Sequence, residues 1–184
     1  MNKLPHKFIL AFVLSFLRRQ LCFCKEIHML FYIIAVILII LDQISKFATI
    51  KWLKPIGTVT VIEGIFDFNY VENRGAAFGI MQNQRWIFIA LTIIITFGLM
   101  FYKIKYKPKD KVLNTSICLL VSGAIGNLID RIFRGYVVDM LEVTFIDYPV
   151  FNVADCFVVM GAILLSIYIL FIYKEPQKEM KKND

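Results

Sequence analysis

The run LFYIIAVILIILDQISKF, Leu30 to Phe47, decides the fold class. From Leu30 to Leu41 it carries no charged side chain, and it then closes on Asp42, Gln43, Ser45 and Lys46. Crossing the hydrocarbon of a bilayer takes roughly 20 consecutive apolar residues in a helix. Three further runs meet that requirement: about Trp86 to Tyr102, Val112 to Ile129, and Val153 to Tyr173. Hydrophobic residues make up 59% of the 184 positions, above the roughly 45–50% of soluble domains. An apolar excess of that size has to meet lipid. The expected fold is an all-α membrane protein, a four-transmembrane-helix bundle.

The charge pattern gives the orientation. The formal charge is +7, and its basic residues cluster at the ends of the apolar runs instead of forming a separate basic domain. A nucleic-acid partner is therefore not expected; membrane lipid is. Between the second and third spans lies KIKYKPKDK, with Lys103, Lys105, Lys107, Lys109 and Lys111. Arg18, Arg19 and Lys25 precede the first span, and Lys174, Lys178, Lys181 and Lys182 follow the last. Basic loops stay in the cytoplasm, so both termini are expected there and the other two loops outside.

The first outer loop, about Lys51 to Arg85, is long for a helix connection, and long loops are commonly functional. Val59, Val61, Ile65, Phe66, Phe68, Tyr70 and Val71 are strand formers broken by Gly64. The second outer loop holds GYVVDMLEVTF, also strand-like. A small β-rich extracytoplasmic subdomain built from both is expected. Residues 1–28 form an N-terminal extension whose apolar stretch, Phe8 to Leu17, is too short to span. It reads as an upstream mis-assigned start or an interfacial helix. Residues 29–173 form the four-span domain, and 174–184 a basic cytoplasmic tail.

Ionisable groups are costly inside a membrane and mark function by default. Here they gather towards the outer ends of the spans. Asp42 and Lys46 end the first, Asn127, Asp130 and Arg131 end the third, Asp139 lies in the following loop, and Asp155 opens the fourth. Two carboxylates held together cannot both ionise easily and share a proton. The ionised one can take a proton from water while the protonated one donates to a carbonyl. Composition alone does not say which two face each other. Asp42 and Lys46 equally read as an i,i+4 helix pair, and Asp130 with Arg131 as a headgroup anchor.

Other chemistries find less support. Cys118 and Cys156 lie in apolar runs, and Cys22 and Cys24 lack a second pair of zinc spacing; no metal is expected. Ser45 and Lys46 are neighbours, and adjacent helix residues do not face each other. Ser122 has no basic neighbour. Gly75 and Gly79 have the GxxxG spacing of close helix packing, and Gly123 and Gly126 suggest the same in the third span. Asn73 reads as a turn residue or a substrate-positioning amide, and Asn152 as a helix N-cap or a partner of a carboxylate. Trp52 and Trp86 fit an interfacial aromatic belt.

Four blocks, DQISK (Asp42–Lys46), NRGAAFG (Asn73–Gly79), GNLIDRIFRGYVVD (Gly126–Asp139) and FNVAD (Phe151–Asp155), together resemble lipoprotein signal peptidase, also called signal peptidase II. Order, spacing and the four-span frame agree over about Met29 to Tyr173. The resemblance implies a cofactor-independent aspartic endopeptidase of the bacterial cytoplasmic membrane, with its site near the outer face. Its substrate would be a prolipoprotein already carrying diacylglycerol on cysteine, cut on the N-terminal side of that residue. The last residues of the third and fourth blocks, Asp139 and Asp155, match the family's catalytic carboxylates. Asn73, Asn127, Asp130, Arg131 and Asn152 match its supporting polar residues, and Asp42, Lys46 and Gly75 are structural. Met140 stands where the family often has Phe. A monomer is expected. The rival reading is a small membrane transporter or channel subunit using intramembrane carboxylates as a relay.

A chain begun at Met29 is expected to keep its activity, measured as cleavage by membranes containing the long and short forms side by side. Loss of cleavage in the shorter form overturns that reading.

Overall fold

The first apolar run becomes helix α1, Met29–Leu53. Its 25 residues reach about 38 Å at 1.5 Å per residue, more than the hydrocarbon thickness of about 30 Å. The computed structural model describes residues 29–75 and 81–173. The readings on residues 1–28, on Gly79 and on the tail 174–184 lie outside the described residues. Contrary to expectation, Asp42 and Lys46 do not end the first helix. It runs on through a π-helical turn, Thr49–Leu53, leaving Lys46 roughly 10 Å short of its end. The polar side chains find partners inside the protein, so the helix need not stop to bring them to water.

The other spans are α2, Arg85–Tyr106, α3, Lys111–Phe133, and α4, Val153–Ile172. Helix α2 continues past the expected Tyr102 because Lys103 is buried: its ammonium donates to Asn114 Oδ1 and lies 4.9 Å from the Phe31 ring. Lys107, with φ +45°, ends the helix in the left-handed region. Asp110 caps α3 by accepting from Leu113 N–H at 2.9 Å.

Helix α3 is the central one. Its Leu113, Ile117, Cys118 and Val121 pack with Phe31 and Ala35 of α1. Cys118 is thus a small core hydrophobe, and Ser122 donates to the Cys118 carbonyl at 2.7 Å. Glycines set the α3–α4 contact. A Cβ at Gly123 would strike the Ala154 carbonyl and lie 2.8 Å from Val158 Cγ2; one at Gly161 would lie 2.9 Å from Leu120 Cγ. Ser116 Oγ donates to the Gly161 carbonyl at 2.8 Å across the same seam. The outward faces carry Ile93, Ile94 and Phe97 of α2 and Ile163 and Leu170 of α4, all exposed, as a lipid-facing bundle requires.

Both strand-like loops form strands, and they pair. The sheet has the order β1 (Thr58–Ile62), β2 (Phe66–Asn73), β3 (Val137–Val143) and is antiparallel throughout. Gly64, at φ +69°, makes the turn between β1 and β2. Thr58 faces Asn69, Val71 faces Asp139, and Asn73 faces Val137. Val138 and Met140 pack on Leu53 at the end of α1, so the sheet sits on one end of the bundle. Met140 is a packing residue. Gly75 corrects the helix-packing expectation: it lies in the bend after β2, where its N–H bonds to Asn73 Oδ1 at 3.0 Å. A bridge between Leu141 and Phe151, with bonds of 2.8 and 3.0 Å, ties β3 to the start of α4.

Substituting Gly123→Val should destabilise the protein by about 1–3 kcal/mol, the usual cost of overpacking. Gly98→Val is the control, since nothing lies within 4 Å of a Cβ there. A detergent melt in which both variants behave alike would contradict the close α3–α4 seam.

Candidate active site

Two carboxylates come together where the sheet meets the bundle. Asp139 is carried by β3, and Asp155 stands in the first turn of α4. The Leu141–Phe151 bridge brings Asn152 beside β3, and Asn152 links the two. Its Nδ2 donates to Asp139 Oδ1 at 2.6 Å, while its Oδ1 accepts from the Asp155 N–H at 3.0 Å. The Asn152 N–H donates to Asp155 Oδ2 at 3.2 Å, completing a reciprocal cap of the kind that satisfies a helix N-terminus. Asn152 is therefore both helix cap and carboxylate partner.

The remaining oxygens are held by two more amides. Asn73 Nδ2 donates to Asp139 Oδ2 at 2.9 Å, and Asn127 Nδ2 to Asp155 Oδ1 at 2.7 Å. Asn73 also serves as a turn residue through its bond to Gly75 N–H. Asn152 Nδ2 further donates to Asn127 Oδ1 at 3.1 Å, so the amides form one connected set.

Beneath it lies a charged cluster sealed from solvent. Asp42, Lys46 and Asp130 are each 0% exposed. Lys46 Nζ lies 2.9 Å from Asp42 Oδ2, 3.2 Å from Asp130 Oδ2, and donates to Asn127 Oδ1 at 2.9 Å. Asp42 Oδ1 accepts from Ala154 N–H of α4 and Asp130 Oδ2 from Val138 N–H of β3, both at 3.0 Å. Asp130 is thus no headgroup anchor; it pins the strand that carries Asp139. Two members were not anticipated. Arg134 pairs with Asp130, and Gln43 Nε2 donates to Gly126 O, Asp42 and Asp130. The i,i+4 spacing of Asp130 and Arg134 was the available signal. Gly126 leaves room for this cluster, because a Cβ there would lie 2.5 Å from Asp42 Oδ2.

Asp139 is 1% exposed. Burial, and then the neighbouring Asp155 charge, push its carboxyl up to about 7, against the opposing hydrogen bonds from Asn152 and Asn73 and the Lys46 charge. Beside the pair opens a cleft of about 230 Å³ lined by Asn73, Asn127, Arg131 and Asp155; Asp139 is bonded to Asn73 of that lining and is not itself part of it. Its apolar lining includes Val150, Val158 and Val159. Arg131 donates to the Gly75 carbonyl at 3.3 Å and stacks over Phe88 of α2 at 5.0 Å. A buried carboxyl with a raised pKa beside a part-buried one that meets an apolar cleft is suited to general acid–base chemistry.

Comparison with known proteins bears on the same segment. Residues 34–171 match the family model described as signal peptidase (SPase) II. The chain belongs to the signal peptidase II family. A lipoprotein signal peptidase of Clostridioides difficile (strain 630) is 45% identical over 144 residues, covering 78% of this chain and 96% of that protein. That of Clostridium acetobutylicum is 41% identical over 146 residues, covering 78% and 94%. A solved bacterial membrane enzyme, determined by the in meso method at 2.3 Å resolution, superposes with a TM-score of 0.72 at 34% identity, covering 80% of this chain and 93% of that one. Signal peptidase II membership makes this chain a multi-pass inner-membrane peptidase that removes signal peptides from prolipoproteins.

The raised Asp139 carboxyl gives a stability test. Because its folded value of about 7 exceeds the ordinary carboxyl value of 3.8, the fold binds that proton more tightly than the unfolded chain does. The resulting stabilisation is fully present below about 4 and is lost as pH rises through about 7. Asp139→Asn cannot ionise. Its melting temperature relative to wild type should therefore climb between pH 4 and 8, and a difference constant with pH would contradict the assignment.

Proposed function

We propose that this signal peptidase II hydrolyses the peptide bond with an Asp139–Asp155 dyad and a water nucleophile, on the N-terminal side of a diacylglyceryl-modified cysteine. The observation that carries the reading is Asn152, whose side chain and backbone hold both carboxyl groups at once. Asp155 accepts from Asn127 Nδ2 and Asn152 N–H, and it is the carboxylate that lines the cleft. It acts as the base. Asp139, raised to about 7, keeps its proton and acts as the acid.

The steps balance on these two groups. Asp155 takes a proton from water as the oxygen attacks the scissile carbonyl carbon, and Asp139 gives its proton to the carbonyl oxygen. Collapse of the gem-diol breaks the C–N bond. Asp155 then passes its proton to the leaving amine, and Asp139 regains one from the diol hydroxyl. Asn73 and Arg131 line the cleft and are placed to hold the substrate backbone. A signal peptide is itself a short apolar helix, and Val158 and Val159 of α4 offer it an apolar approach.

Orientation follows the basic loop. Lys105, Lys107, Lys109 and Lys111 lie between α2 and α3, at the end opposite the sheet. Cytoplasmic placement of that loop puts both termini inside and the dyad near the outer face, where a lipid-modified cysteine resides. One chain supplies both carboxylates, so a monomer suffices. The transporter reading requires carboxylates at successive depths, whereas Asp42, Asp130 and Asp155 join one bonded cluster through Lys46 and Asn127.

Asp139→Asn and Asp155→Asn are each expected to reduce cleavage of a diacylglyceryl-modified prolipoprotein by at least about 10²–10⁴-fold, the usual contribution of a positioned acid or base. Wild-type kcat/KM should fall as pH rises through about 7, as Asp139 loses its proton. Undiminished cleavage by either folded variant refutes the dyad.

A further inference from the structure

Lys46 is the buried charge that the chemistry above leaves unused. It lies 0% exposed in α1, does not itself line the cleft, and looks at first like half of a helix-stabilising pair with Asp42. Its third bond says more. An ammonium has three donors and no acceptor, and Lys46 directs them to Asp42 Oδ2, Asp130 Oδ2 and Asn127 Oδ1.

Asn127 can meet that ammonium only with its carbonyl oxygen. The same oxygen also accepts from Asn152 Nδ2 at 3.1 Å. A flipped Asn127 amide would turn its NH₂ donors onto two other donors, an arrangement without a single hydrogen bond. With Oδ1 fixed, Nδ2 has to face Asp155 Oδ1, where it sits at 2.7 Å. The Asp42 and Asp130 carboxylates fix the ammonium, the ammonium fixes the amide, and the amide presents a donor to Asp155.

We propose that Lys46 is a positioning residue of the reaction, which locks the Asn127 amide with its N–H towards Asp155 and so fixes the donor that the Asp155 carboxyl meets in the dyad. The proposal rests on the Asp139–Asp155 reading and deepens it. The charged and titratable groups around Asp155 come from every packed element: Asp139 from β3, Arg131 from α3, Cys156 from α4 and Lys46 from α1. Among these, Lys46 acts through a bonded amide, whereas Arg131 is committed to Gly75 O and the Phe88 ring.

The test must separate this role from plain support of the fold. Removing Lys46 alone would leave the Asp42 carboxylate without the cation it pairs with, so the comparison is made in an Asp42→Asn background. Purified full-length Asp42→Asn, Asp42→Asn/Lys46→Met and Asp42→Asn/Lys46→Gln proteins are assayed with a diacylglyceryl-modified prolipoprotein from pH 4 to 9. Asp42→Asn keeps the bond from Lys46 to Asn127, and the acidic limb of its kcat/KM profile should match wild type even if it melts lower. In the Met variant the acidic limb should move up by about one pH unit and kcat should fall about tenfold or more, with KM within about twofold. The Gln variant, which still carries a donor, should return the limb to the Asp42→Asn position. A Met variant whose limb coincides with that of Asp42→Asn, losing rate equally at all pH values, overturns the proposal and leaves Lys46 as support only. Should the Met variant not fold, the Gln variant decides: a limb in place supports the relay, and a displaced limb overturns it. Failure of the dyad itself is read separately, from cleavage retained by Asp155→Asn.

Discussion

One ammonium bonded to three oxygens inside the bundle is the contact on which the rest of the structure depends. A charge so deep in a lipid-facing protein is tolerated only when paired and fully hydrogen-bonded. Lys46 meets that condition by drawing Asp42, Asp130 and Asn127 to a single point. The two carboxylates then hold backbone N–H groups of other elements: Asp42 that of Ala154 at the start of α4, and Asp130 that of Val138 in β3. One buried cation thus sets the relative positions of α1, α3, α4 and the sheet. Removing one partner from such a cluster typically costs about 3–5 kcal/mol, because the other is left buried and unpaired.

Room for this arrangement comes from what is missing at Gly126 and Gly123. Side chains there would collide with Asp42 and with the first turns of α4. Close approach of α3 and α4 lets Asn127 reach Asp155. The bridge between Leu141 and Phe151 does the corresponding work for Asn152 and Asp139. Asn152 caps its helix through Oδ1 and its N–H while Nδ2 of the same amide holds Asp139, so the local rule for starting α4 and the geometry of the site are met by one residue.

Much of this was legible in the chain. Apolar length gave the four spans, strand-forming residues around Gly64 gave β1 and β2, and GYVVDMLEVTF gave β3. The gathering of Asp42, Asp130, Asp139 and Asp155 at one end was also readable, because charges avoid the middle of a span. The failures share one cause. Asp42 and Lys46 form the i,i+4 pair that their spacing allows but do not end the helix, and the anchoring alternative for Asp130 fails, since one-dimensional polarity cannot distinguish a side chain facing water from one satisfied inside. Lys103 misled in the same way, its ammonium being turned onto Asn114 and Phe31. Gly75 has the spacing of a helix-packing motif but lies in a bend, where local bonding to Asn73 prevails. Asn152 reads from the sequence as a helix cap or a carboxylate partner; that it is both at once follows from the three-dimensional bridge.

Asp139 rides on a strand and Asp155 on a membrane helix, and this division has a consequence for how the molecule comes into being. Helices inserted in lipid acquire their backbone bonds locally, whereas a sheet joining residues as distant as Asn73 and Val137 closes late. Until β3 pairs with β2, Asp139 lacks the bond from Asn73 that holds it in the finished fold. The meeting of the two carboxyl groups is therefore a product of tertiary assembly and belongs to neither element alone.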